Sequence, residues 1–233
     1  MLPATALTSR RNELFEELKE RLHASPGTAG IAVDQAIRSG IESLDCLLGG
    51  GFPLGSLVTL EGQGSAGRWS IAASLLAQVT QRGLGAVIDD GELYPPALED
   101  AGVRLDRLLV VPAKTPVGIA RAVDAILRSR VARVIVMGAP ALRAAVWTRL
   151  ATLAHRAGAV LLVIAARANA ELAGVATVRL GCMFERAVIR GSRGLWGCFS
   201  GFTLRAELRK HKVARRAGGA VSLRSSFLKP GGA

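Results

Sequence analysis

The sequence predicts an α/β fold in which a mostly parallel sheet is flanked by helices and continued by antiparallel strands toward the C-terminus. Three observations predict it. Between residues 57 and 164, short β-branched runs alternate with helical segments of three or four turns, the pattern of parallel strands joined by crossover helices. The stretch at residues 57–70, LVTLEGQGSAGRWS, passes from an apolar run through glycines into a helix start. After Asn169 the helical alternation gives way to apolar runs interleaved with arginines, as in half-buried strands.

Residues 12–22, NELFEELKERL, place Leu14, Phe15, Leu18 and Leu22 on one face of a short helix. The HASPGTAG that follows reads as a linker, so residues 1–36 are a docking helix and its tether, packing either on its own core or on a neighbour. The core is expected at 37–217 and a tail at 218–233. From Ile41, a short helical turn ends in the glycines at 49–51, and a Pro-Leu-Gly turn enters the strand LVTLEG. Residues 69–82 read as a helix, 85–88 as a strand ending at Asp89 and Asp90, and 96–101 as a short helix. Strands follow at 108–111, 133–137 and 159–164, with helices at 116–130 and 141–157. VATVRLG, RAVIRG, LWGCFSGFTLRAELRKHKV and AVSLRSSF then read as antiparallel strands. Ligands of such sheets bind at the C-terminal strand ends, where Gly62, Asp89 and Gly138 fall.

A chain of 233 residues supports one substantial core, and with half its residues apolar it is not a disordered chain. The net charge of +12 is uneven: residues 1–166 hold 17 basic and 15 acidic residues, and residues 167–233 hold 13 and 3. The positive field is thus expected in the C-terminal third, favouring nucleic acid, an acidic protein surface or, less strongly, anionic lipid. With no run of 18 apolar residues and no basic segment leading into an apolar one at the N-terminus, no membrane association is expected and the chain is read as cytoplasmic. Cys46, Cys182 and Cys198 fit no zinc spacing and are read as buried free thiols.

The glycine loop carries the sharpest chemistry. An intact phosphate loop, G-x-x-x-x-G-K-[ST], wraps phosphates in backbone N–H groups, reaches them with a lysine and holds magnesium with a hydroxyl. Here Gly62 and Gly67 keep the spacing, but Arg68 replaces the lysine and Trp69 the hydroxyl. Arg68 retains donors for phosphate but is bulkier than lysine. Ser70 lies one residue on, turned by about 100°. Gly62, Gly64, Ser65, Gly67 and Arg68 are the candidate nucleotide contacts, with weak ATP binding the most they are expected to retain.

The order of these features resembles the RecA-type recombinase core. LD, LGGG and PLG before the loop, VIDDGELYPPALEDAGVRLDRLLV, the strand at 131–137, ATVRL and RKHKVARRAG all fall in sequence over roughly 37–217. More narrowly, the chain resembles the RecA-related accessory proteins of bacterial mutagenic translesion-synthesis cassettes, the ImuA group. The resemblance implies a P-loop NTPase fold whose site is damaged. Gly138 stands where the magnesium-orienting acid is expected, and Ala165 or Ala166 where the polar sensor is expected. Gly91 or Glu92 aligns with the water-activating glutamate. Asp89, Asp90 and Glu92 serve either as a general base or as turn caps, and without magnesium geometry the second reading prevails.

Lys210, His211 and Lys212 resemble the basic pair that crosses a recombinase filament interface. With Arg215 and Arg216 they are candidates for phosphate neutralisation or an acidic partner, without sequence readout. The segments after residues 137 and 164 are too short for the family's two long DNA-binding loops, so no strand-exchange filament is expected. The resemblance implies a noncatalytic accessory protein in the DNA damage response and error-prone translesion synthesis, without catalytic or metal-binding residues. Its implied partners are a recombinase or a translesion polymerase complex, with DNA held through the basic C-terminal region. Leu14, Phe15 and Leu18 are its candidate partner anchors. Two alternatives stand beside this reading. One is a slow ATPase using Arg68 with Asp90 or Glu92. The other is a nonspecific single-stranded DNA binder, disfavoured by 4% aromatic content even with Trp147 and Trp196 available.

Overall fold

The structure, a computed structural model, describes residues 36–64, 66–91, 93–190, 198–212 and 219–226, all within one compact unit, Gln35–Ala233. Leu14, Phe15, Leu18, Ser65, Glu92, Trp196, Arg215 and Arg216 lie outside the described residues. A short ribbon of β1 (Ala36–Ile37) and β2 (Phe52–Pro53) brackets α1 (Glu42–Leu48). The main chain path continues through β3 (Leu57–Glu61), α2 (Arg68–Thr80), β4 (Leu84–Asp89), α3 (Pro95–Asp100) and β5 (Leu108–Pro112). It then runs through α4 (Pro116–Ser129), β6 (Ala132–Gly138), α5 (Ala144–Ala157), β7 (Val160–Ala165) and α6 (Ala170–Val175). The last three strands are β8 (Val178–Arg190), β9 (Cys198–His211) and β10 (Ala220–Ser226).

The main sheet has the order β10-β9-β8-β3-β7-β6-β4-β5. From β8 to β5 all neighbours are parallel, and β9 and β10 add to the β8 edge antiparallel. The expected fold class is therefore the observed one. From β3 the chain leaves through α2 for β4, beyond β7 and β6, so the end of β3 opens where the connections diverge.

Strand alternation divides the core between two faces. Val58, Leu60, Val134, Val136 and Leu162 pack with Leu44, Ile71, Leu75 and Leu76 on the α1 and α2 side. Leu57, Ile135, Met137, Leu161 and Val163 pack with Val123, Trp147 and Leu172 on the side of α4, α5 and α6. Parallel strands covered on both faces must be apolar at nearly every position, as β6 and β7 are. Each such fully buried aliphatic side chain contributes about 1.5–3 kcal/mol, so the two faces together hold the sheet.

Local chemistry sets the ends. Thr115 Oγ1 accepts from Gly118 N at 3.1 Å, capping α4 beside Pro116, and Gly49 and Gly158 end α1 and α5 in the left-handed region. Asp45, within the LD motif, is structural: its Oδ1 accepts from Ser39 N (2.8 Å) and Ser39 Oγ (2.7 Å) in a buried network.

Three sequence readings change. The strands expected in VATVRLG and RAVIRG are parts of one continuous strand, β8, running from Val178 to Arg190, whose first part pairs parallel with β3. Between residues 170 and 175 the chain forms the helix α6, unread from its one and a half turns, although Asn169 Oδ1 accepts from Leu172 N at 2.8 Å as an N-cap should. Cys46 is exposed, whereas Cys182 is buried and its thiol is pushed up to about 12 by burial.

Candidate functional site

The glycine loop joins β3 to α2 and is held from below by Gly62 N, which donates to Ala165 O at 3.1 Å. A Cβ on Gly62 would run into the Cys182 carbonyl oxygen, and one on Gly67 into Leu204 Cδ2. Gly67 also takes φ 71°, in the left-handed region. Both glycines are therefore required by the close approach of β8 and β9 whatever the loop binds. Gly64, at φ 51°, faces open space.

Arg68, in the lysine position, turns back on the loop: Nη2 donates to Gly64 O at 3.0 Å. Trp69, in the hydroxyl position, is 42% exposed and brings no oxygen. At the end of β6, Gly138 offers no ligand, with open space where a side chain would stand. Ala165 is buried and Ala166 exposed. Magnesium requires oxygen ligands in near-ideal geometry, and among the described residues Arg68, Trp69 and Gly138, at the three positions read from the motif, carry no side-chain oxygen.

Asp89, at the end of β4, accepts from Gly91 N (2.8 Å) and Leu93 N (3.0 Å) through Oδ1, with Gly91 at φ 107°. It shapes the turn toward α3, a use of aspartate common in tight turns. Asp90 is exposed.

Immediately before the loop sits a cluster that sequence reasoning missed. Glu61 is 1% exposed. Arg179 Nε and Nη2 donate to its Oε1 and Oε2 at 2.7 and 2.9 Å, Arg209 Nη1 donates to Oε2 at 3.1 Å, and Thr59 Oγ1 donates to Oε1 at 2.9 Å. Burial pushes the Glu61 carboxyl up, but the hydrogen bonds from Arg179 and Thr59 and the charges of Arg179 and Arg209 outweigh it and hold the pKa below its ordinary value. Arg209 reaches this position because it is the extra residue of a β-bulge: Arg179 pairs with Lys210, and Leu180 with Leu208. Gly181 clears its path, since a Cβ there would lie 2.5 Å from Arg209 Nε. The available signal was a lone glutamate closing an apolar strand while arginines recur at alternate positions later in the chain.

Lys210 and Lys212 point to the end of α6. Lys210 Nζ donates to Ala173 O (2.7 Å) and Gly174 O (3.2 Å), and Lys212 Nζ donates to Gly174 O (3.1 Å) and Val175 O (3.3 Å). Cations bound to terminal carbonyls stabilise a helix end. Burial, then the charges of Lys212 and Arg179, lowers the Lys210 pKa. His211 between them points inward at 4% exposure, and burial lowers its pKa despite a hydrogen bond with the Leu48 backbone. Trp147 is fully buried in the core and offers no stacking surface.

Among known proteins, the model of the MT3502 N-terminal domain family matches residues 45–169. The chain is 34% identical over 107 residues to the DNA repair protein recA homolog 1, chloroplastic, of Arabidopsis thaliana, covering 45% of this chain and 24% of that protein. It is 33% identical over 105 residues to Protein RecA of Nostoc punctiforme, covering 44% of this chain and 29% of that one. The chain thus spans less than a third of the length of these relatives. Among solved structures, the RadB recombinase superposes with a TM-score of 0.62 at 18% identity, over 82% of this chain and 96% of that chain, a likeness of fold.

Proposed function

The chain belongs to the MT3502 N-terminal domain family, and from that premise and its RecA-like recombinase fold we propose that it is a noncatalytic accessory protein of DNA repair. In this reading it resembles the ImuA group and serves error-prone translesion synthesis after DNA damage, working through a recombinase or a lesion-bypass polymerase complex. One observation carries the noncatalytic part: the residue in the lysine position, Arg68, is engaged with the carbonyl of Gly64 in its own loop. The glycines that would mark a nucleotide loop have a second reason to be there, since β8 and β9 pack against Gly62 and Gly67. The likeness to RecA proteins supports a DNA-related role, and Leu14, Phe15 and Leu18 remain its proposed partner anchors.

Titrating the full chain with ATP by calorimetry, with and without magnesium, while following phosphate release with and without single-stranded DNA, tests this reading. The expected result is no turnover and, at most, weak binding that magnesium does not strengthen. Magnesium-dependent binding with DNA-stimulated release would replace the accessory reading with that of an ATPase.

A further inference from the structure

The three helices α4, α5 and α6 each follow a strand of the parallel set and lead to the next. They therefore run in one direction, side by side, and end at one edge of one face, opposite the glycine loop. Each end is basic. Arg128 and Arg130 close α4, Arg156 lies in the last turn of α5, and Lys210 and Lys212 sit on the last carbonyls of α6. Arg149 joins them from α5, sharing Asp124 with Arg128: Arg149 Nε donates to Oδ1 at 2.9 Å and Arg128 Nε to Oδ2 at 2.6 Å. Residues 113–175, which span the three helices and their loops, hold nine basic side chains against two acidic ones, Asp124 and Glu171, the latter in the first turn of α6 at the loop end. The positive surface thus begins well before the C-terminal third to which the charge count along the chain assigns it.

Helix-end cations are common because they complement the helix dipole, yet Arg130 goes further. It is the one described non-glycine residue at positive φ, 55°, in a position that α1 and α5 give to Gly49 and Gly158. A left-handed arginine is strained where glycine is not, so the chain keeps a charge where its other helices use the relaxed residue.

We infer that this edge is a nucleic-acid surface, on which the ends of α4, α5 and α6 follow the phosphate backbone of a duplex. Protein partners need apolar or aromatic anchors at the centre of the contact. Among the described residues, no exposed large apolar side chain falls in the last two turns of these helices, Val117 lying in the first turn of α4. Base stacking on single strands needs exposed aromatics, and the aromatic of this layer, Trp147, is buried. Guanidinium and ammonium groups in a row satisfy phosphates without reading sequence. This rests on the DNA-related reading only for its choice of ligand and is independent of nucleotide chemistry at the glycine loop.

The test measures binding of the full chain to a fluorescent 20-base-pair duplex, the matching single strand and polyglutamate across a salt series. The variant Arg130→Gly with Arg156→Gln removes two charges and relieves the left-handed strain, so it keeps its fold. Lys114→Gln with Arg143→Gln removes two charges from the loop end of the same helical layer. Wild type should bind duplex at least as tightly as single strand and more tightly than polyglutamate. The edge variant should lower the log–log salt slope by about 1.8, two contacts at roughly 0.9 each, and the loop-end variant should leave it unchanged. An unchanged slope in the edge variant, an equal fall in both variants, preference for single strand or polyglutamate, or no duplex binding by wild type would each overturn the assignment. None of these outcomes bears on ATP turnover, so the accessory reading fails or survives on its own experiment.

Discussion

Arg179 grips Glu61 with two parallel hydrogen bonds, Nε to Oε1 at 2.7 Å and Nη2 to Oε2 at 2.9 Å, and so joins the strand before the glycine loop to the strand that carries the C-terminal hairpin. The carboxylate is buried while its cations reach solvent, which makes the two halves of the bond unequal. Arg179→Ala leaves a buried anion with one cation fewer and should cost about 3 kcal/mol. Glu61→Gln leaves cations that water can reach and should cost less, about 1–2 kcal/mol. Urea unfolding of both variants measures the order, and a costlier Glu61→Gln would contradict the inequality.

The same pair sets an acid dependence. Because the folded Glu61 pKa lies below its ordinary 4.5, its contribution is complete above that value and is lost as pH falls through the folded pKa. The stability gap between wild type and Glu61→Gln should therefore narrow below pH 4.5 and stay constant above it. Unfolding free energies taken from pH 7 downward show whether it does.

Gly181 and Arg209 should be coupled. A Cβ at 181 meets the flexible guanidinium of Arg209, which must leave Glu61. Gly181→Ala is expected to cost about 1 kcal/mol, the scale of one hydrogen bond, but almost nothing in an Arg209→Ala background. A double-mutant cycle measures this, and additive costs would mean that Gly181 serves something other than the passage of Arg209.

How much of this was legible differs by feature. The helices and parallel strands through β7 were readable because burial on both faces forces long apolar runs and leaves the period visible. The sequence does not show β8 as one strand: only its first residues, Val178–Gly181, lie between β3 and β9, and the rest pairs with β9 alone, so its residue pattern changes along its length. α6 is too short to show a helical period. The damaged nucleotide loop could be read residue by residue because its motif fixes spacing. The Glu61 cluster could not, since it joins residues 118 and 148 positions apart through a bulge that no local pattern marks. Nor did dividing the charge along the chain reveal the helix ends, because the fold groups charges by edge and not by sequence.

His211 gives a second, higher pH window. Its folded pKa is lowered below 6.5 chiefly by burial, so below pH 6.5 the unfolded chain takes up a proton that the folded chain resists, and stability falls as the pH drops through that range. His211→Gln should flatten this segment of the stability curve while leaving the lower window of Glu61 in place. Retention of the full slope between pH 6.5 and 5 in the variant would assign it to other groups.

The glycine loop allows its structural and ligand-binding demands to be separated. Gly62→Ala presses on backbone of β8 and Gly67→Ala on Leu204 at positive φ, so each should destabilise the ligand-free protein by about 1–3 kcal/mol, whereas Gly64→Ala, in open space, should cost about 1 kcal/mol from its backbone alone. The chemical positions are the opposite case: Trp69 is exposed, Gly138 faces free space and the half-buried Arg68 holds the Gly64 carbonyl, a bond that a lysine can also make, so the triple change Arg68→Lys, Trp69→Thr, Gly138→Asp should fold as wild type does. Those three changes return the lysine, the hydroxyl and the acid that phosphate and magnesium require. Magnesium-dependent ATP affinity should rise about tenfold or more over wild type, since a single added charged contact is worth at least that much. Calorimetry on the triple variant measures it. If the variant folds and still gains no affinity, the approach of β8 and β9 to the loop, more than the lost side chains, keeps nucleotide out.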